Sequence, residues 1–217
     1  MKKKVIFAAL FFCISISVFA QGFYFDIGAG FGRAWTRFNG ENVINILNAE
    51  GLQVSPSGMM LSLKAGYGPV ADMPIYIVGE LGSIWHMLSF DYSLEHHDLY
   101  RYDHEISFIS SIIGPGILYY PVQRVQLGLS AGLSTVNNSS SLPDAYFSDL
   151  RPNSKGGFAW NASAAMDFGR RNHGCLVGVQ LFQAINNLQM SNLTENAFLL
   201  SIFVKYAYRQ KPQLLFF

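Results

Sequence analysis

The chain has 217 residues, of which 50% are hydrophobic, 15% aromatic and only 13% charged, with a formal net charge of +1. Ordinary soluble proteins carry about 25% charged residues, so this chain has too little charge to wet a soluble surface. It also has no basic patch for nucleic acid, and its two cysteines, Cys13 and Cys175, are too few for a disulfide framework.

The N-terminus reads as a secretory signal. Lys2, Lys3 and Lys4 precede the apolar run Val5 to Phe19, and Val18-Phe19-Ala20 before Gln21 offers the small-residue site such signals use. The expected division is a signal peptide over 1–20, a barrel domain over 21–208 and a C-terminal tail over 209–217. The apolar run falls short of the ~20 residues of a membrane helix, and the bulky Phe11 and Phe12 stand before Cys13 where a lipoprotein signal needs small residues. Cleavage removes Cys13 and the three lysines, which leaves Cys175 without an internal partner.

No later stretch is long and apolar enough to be a membrane helix, and the closed β-barrel is the other structure that satisfies every backbone group in lipid. Alternation predicts eight strands: 23–34, 58–68, 75–88, 104–120, 125–136, 157–168, 175–185 and 197–208. In the fifth, Val125, Leu127, Leu129, Ala131 and Leu133 share one face, opposite Gln126, Gly128, Ser130, Gly132 and Ser134. The sixth sets Phe158, Trp160, Ala162, Ala164, Met166 and Phe168 against Ala159, Asn161, Ser163, Ala165 and Asp167. The eighth sets Phe198, Leu200, Ile202, Val204, Tyr206 and Tyr208 against Leu199, Ser201, Phe203, Lys205 and Ala207.

The connections 35–57, 69–74, 89–103, 121–124, 137–156, 169–174 and 186–196 alternate long and short, as extracellular loops and periplasmic turns do. Turn chemistry marks the short ones: Pro69 and Pro74, then Pro121, then Gly169, Asn172 and Gly174. A soluble sandwich would also alternate, but its polar face would need far more charge than these strands hold. The expected fold is therefore all-β, an eight-stranded antiparallel up-and-down transmembrane β-barrel, monomeric and in a bacterial outer membrane. Trp35, Trp85, Trp160, Tyr206 and Tyr208, with Tyr119 and Tyr120, are expected in its aromatic girdles.

On this pattern the chain resembles the small eight-stranded outer-membrane proteins of the OmpA, OmpX and OmpW class, closest in character to OmpW. The likeness rests on pattern and topology over nearly the whole mature chain. In that class the last strand carries a signal read by the barrel-assembly machinery: Ser201, Tyr206 and Tyr208 fit its spacing, whereas Phe203 stands in its glycine position. The chain ends on Phe217, as members do, but Pro212 intervenes and cannot donate to a strand ladder.

Parity and depth place Asp26, Lys64, Glu80, Asp167 and Lys205 in one lower-lumen layer, as a plug of mutually satisfied charges, with ion passage or proton transfer as the alternative role. Ile84, Phe182, Leu199 and Phe203 are inward by the same parity and are expected toward the extracellular side or the middle of the lumen. Such an apolar cavity resembles the OmpW arrangement, which implies a conduit or binding site for small hydrophobic solutes; plain packing is the alternative for these four side chains. The second functional reading is a structural or adhesive surface protein that binds outside partners through its loops.

In those loops, Val43, Ile44, Ile46 and Leu47 suit a short amphipathic helix within 41–50, and Asn137 to Leu142 reads as a flexible exposed tip. His86, His96, His97, His104, Asp91, Asp98 and Asp103 gather metal-ligating chemistry around 89–103, without diagnostic spacing. His86, His104, Ser89 and Ser107 would be the material for a hydrolase, again without a motif. The expectation is no catalysis, no cofactor and no metal, with outer-membrane lipid as the constant partner.

Overall fold

The computed structural model describes residues 22–38, 41–42, 45, 53–70, 73–92, 102–140, 156–169, 172–190 and 193–210. The expected signal peptide, most of the helix within 41–50 and the tail beyond residue 210 lie outside them. Nine antiparallel strands follow in order: β1 (Phe23–Phe38), the two-residue β2 (Glu41–Asn42), β3 (Gln53–Tyr67), β4 (Ile75–Tyr92), β5 (Tyr102–Val122), β6 (Val125–Ser140), β7 (Gly157–Asp167), β8 (His173–Met190) and β9 (Leu193–Arg209). β2 only folds back on the end of β1. The other eight pair neighbour to neighbour, and β1 pairs with β9 to close the barrel.

Following the pairing from Ile27 through Leu63, Leu81, Ile113, Leu133, Phe158, Ile185 and Asn196 returns to β1 at Arg37, ten residues above the start. This stagger, shared among eight strands, gives the steep tilt of small barrels. Closure is tight at the seam. A Cβ on Gly28 would lie 2.6 Å from the Lys205 Cα, and one on Gly32 would lie 2.6 Å from the Ser201 Cα, so glycine lets β1 and β9 approach.

The outward face is a continuous apolar belt. Phe31, Ile113, Leu133 and Ile202 are 61–71% exposed, far too much large apolar surface for a water-facing exterior. In a closed barrel it faces hydrocarbon, and the protein is an outer-membrane β-barrel with short periplasmic turns.

The strands outrun their sequence signal. β8 and β9 continue to Met190↔Leu193, so the expected 186–196 loop is mostly paired strand, with a register shift after Asn186. Asn137 to Ser140, expected in a flexible tip, pairs with Ile106 to Ile109 instead. Apolar alternation is required only where one face meets lipid; above the membrane, backbone pairing continues over polar residues. β5, the least regular strand in sequence, is the longest, at 21 residues. Its ladder to β6 skips Gly114 and Pro115, where proline has no N–H to donate.

Candidate functional site

The lumen is the site the fold builds, because every second side chain of eight strands points into it. Its lower part is polar. Lys64 Nζ on β3 lies 3.4 Å from Glu80 Oε2 on β4, both residues being buried. Lys205 Nζ on β9 lies 3.8 Å from Asp26 Oδ1 on β1 and 4.8 Å from the Phe203 ring. Arg209 Nη1 lies 2.6 Å from Asp167 Oδ2, with Arg209 17% exposed at the periplasmic mouth. Among the described residues three cations face three carboxylates, so these pairs are charge-balanced.

Neutral side chains tie these pairs across the bore. Asn161 Nδ2 on β7 donates to Glu80 Oε1 at 2.6 Å. Tyr24 OH donates to Asp26 Oδ2 at 2.8 Å and accepts from Gln126 Nε2 on the opposite wall at 2.8 Å. The same amide also donates to Tyr120 OH at 2.7 Å. The Tyr76 ring packs between Tyr24 and Tyr120, tilted against the first at 5.2 Å and edge-on to the second at 5.6 Å, and the Arg209 guanidinium lies 5.4 Å over Tyr120.

The upper lumen is apolar. Ala34, Met60, Ile84, Ile112, Ala159, Phe182, Ala184, Ala197 and Leu199 form one buried cluster, and Gln180 on β8 reaches Met60 Sδ on β3 across it. Higher still His86 is fully buried, and neither of its ring nitrogens makes a hydrogen bond.

Several expectations need correction. Asp26, Lys64, Glu80 and Lys205 lie together, but Asp167 leaves that layer for Arg209, a residue the sequence reading assigned to the tail. Continuing the inward parity of Lys205 and Ala207 by two residues would have found it. Ile84, Phe182 and Leu199 lie in the upper cluster, whereas Phe203 packs lower, against Tyr24, Val78, Leu118, Ala165, Leu176 and Ala207. On the β1–β9 register Phe203 faces Gly30, four residues below the Ala34↔Leu199 pair, and lies beside the Lys205 ammonium. Trp35, Trp85, Trp160, Tyr206 and Tyr208 all face outward, with Trp160 Nε1 donating to Gln183 Oε1 at 3.0 Å. Tyr119 joins them at 42% exposure, but Tyr120 is 7% exposed and faces the lumen, since consecutive strand residues cannot share a face.

His86 also points inward, away from any loop chemistry. His96, His97 and Asp98 lie outside the described residues, as do the side chains of His104, Asp91, Asp103, Ser89 and Ser107. Among the described residues no three His, Cys, Asp or Glu side chains come together as metal ligands would. Cys175 is exposed on the outer face of β8.

No family model matches the chain, and no curated protein matches it. Among solved structures it is similar to the outer membrane protein OprG from Pseudomonas aeruginosa, at 11% identity and a TM-score of 0.46, over 88% of this chain and 97% of that one. It is also similar to Neisserial surface protein A, at 16% identity and a TM-score of 0.45, over 84% and 95% of the two chains. The attachment invasion locus protein Ail of Yersinia pestis matches at 12% identity and a TM-score of 0.41, over 84% and 97%.

Proposed function

We propose that the protein is a closed barrel that acts at its extracellular end, holding long connections at the cell surface where they bind outside partners. One observation carries this reading: the bore is crossed by side chains bonded from wall to wall. Gln126 meets Tyr24, Asn161 meets Glu80 and Gln180 meets Met60, each between strands that are not neighbours. A bore filled in this way gives a solute no path, while the ends of β2 and β3, of β4 and β5 and of β6 and β7, which the connections 43–52, 93–101 and 141–155 join, lie at one rim. Loops on a rigid scaffold are where binding residues concentrate.

The second reading is a site or conduit for small apolar solutes, and the upper cluster of Met60, Ile84, Ile112, Phe182 and Leu199 favours it. A passage would require these side chains to part. The two readings separate in lipid vesicles loaded with a small apolar dye. Under the scaffold reading, vesicles carrying the protein release dye no faster than empty ones, and Leu199→Trp and Phe203→Trp change nothing. Cells displaying the barrel with the 93–101 connection cut to a Gly-Ser turn should lose surface attachment. Protein-dependent flux that falls in either tryptophan variant would establish the conduit instead.

A further inference from the structure

We infer that Arg33 and Trp35, on the lipid-facing side of β1, bind a phosphate group carried by an outer-leaflet lipid. The outward row of this strand reads Phe25, Ile27, Ala29, Phe31, Arg33 and Trp35, and Arg33 is exposed. Among the described residues it is the one Lys, Arg, Asp or Glu side chain on the barrel's outer strand surface.

Its depth follows from the register. Phe25 pairs with Tyr208 at the tyrosine-rich periplasmic girdle, and Trp35, paired with Phe198, lies ten residues further along the same strand. Ten residues of a tilted strand climb about 25 Å, which is the height of the apolar band. Trp35 therefore sits at the upper edge of the band, and Arg33 sits just below it. There a cation costs little, whereas near the midplane it would cost about 2–4 kcal/mol.

The guanidinium is held in place. It lies 5.7 Å over the Trp35 ring, and that ring packs 5.5 Å from Phe198. A cation over an aromatic ring keeps its N–H groups as donors, and a guanidinium can grip a phosphate through two parallel hydrogen bonds. Among the described strand residues the opposite girdle presents Tyr67, Tyr119, Tyr206 and Tyr208 and no outward cation, the exposed Arg124 lying beyond it in the β5–β6 turn. This asymmetry fits a difference between leaflets, with phosphorylated glycolipid outside. A guanidinium turned toward lipid meets a lipid-borne phosphate before a free one.

The test uses the purified full barrel with bisphosphorylated lipid A, with the same lipid enzymatically dephosphorylated, and with inorganic phosphate, counting retained lipid by native mass spectrometry. Wild type should retain the phosphorylated lipid about fivefold better than the dephosphorylated one. Arg33→Gln should erase that preference, Arg33→Lys should keep part of it, and millimolar inorganic phosphate should not displace the lipid. Equal retention of both lipids by wild type, or an unchanged preference in Arg33→Gln, overturns the inference. Displacement by inorganic phosphate would overturn its lipid source. Arg33 faces away from the lumen, and heat-dependent gel mobility checks that each variant is still a barrel.

Discussion

The lower half of the lumen is held by buried ion pairs and amides beside an apolar cluster, the upper half chiefly by apolar side chains. Below, six charged side chains, Arg209 at the mouth among them, and the buried Tyr24, Tyr120, Gln126 and Asn161 form a web that spans the bore. Above, aliphatic, aromatic and alanine side chains interlock, and the polar ties are few. The difference teaches that closure of the bore does not depend on one kind of force. The polar half works as matched units, in which each member makes its partner tolerable in a dry interior. The apolar half works by volume, so there a change of size matters more than a change of partner.

The largest effect should come from splitting a unit in the lower half. Glu80→Leu leaves Lys64 buried without its carboxylate and removes the acceptor of Asn161. A buried pair broken on one side costs about 3–5 kcal/mol. Urea unfolding in lipid vesicles, followed by tryptophan fluorescence, should show the loss, and a change below about 1 kcal/mol would mean that the pair is not a unit.

In the upper half Leu199→Ala removes volume only. Leu199 is fully buried beside Ala34 and the other members of its cluster, so the loss should be about 3 kcal/mol, the middle of the range for such truncations. The same unfolding curve measures it. A small loss would mean that the neighbouring side chains collapse into the space.

Smaller again is Asp167→Asn. Its partner Arg209 is 17% exposed at the mouth and can regain water, so the loss should be about 1–2 kcal/mol. A loss as large as that of Glu80→Leu would show that the mouth is as dry as the middle.

The membrane-facing part of this design was legible in the sequence, because lipid on one side and a narrow lumen on the other force alternation in every strand. Val125 to Ser134 shows it plainly, and so does Phe198 to Tyr208. The contents of the lumen were legible as parity but not as pairing. Asp26, Lys64, Glu80 and Lys205 could be sent inward from the sequence, but which carboxylate meets which cation depends on the ten-residue stagger, a property of the closed barrel. Asp167 was misplaced for that reason. Arg209 was missed because Pro212 suggested that the strand had already ended, whereas Arg209 N–H donates to Asn172 O at 2.7 Å and Gln210 N–H to Phe23 O at 2.8 Å. The membrane-free ends of β6, β8 and β9 were missed because polar strands pair through backbone, which leaves no side-chain period to read.

The smallest effect is expected from the variant that makes the two halves alike. Lys64→Met, Glu80→Leu and Asn161→Val together remove one positive and one negative charge, so the balance of the described pairs is kept, and they also remove the amide that would otherwise lose its acceptor. Asp26 and Lys205 still face each other, and Tyr24 still bridges Asp26 to Gln126. Met and Leu are close to Lys64 and Glu80 in volume and Val exceeds Asn161 by only about one methyl group, and the new side chains meet Leu118 across Gly128, whose position lies within reach of both Lys64 and Leu118. Replacing a whole buried pair by apolar residues is commonly neutral or stabilising, so the triple variant should unfold within about 1 kcal/mol of wild type, although Glu80→Leu alone loses several times more. That contrast would show that the charges are needed by one another rather than by the barrel. If the triple variant is as unstable as the single one, the polar web contributes a geometry that packing cannot replace, and the two halves of the lumen differ in role as well as in chemistry.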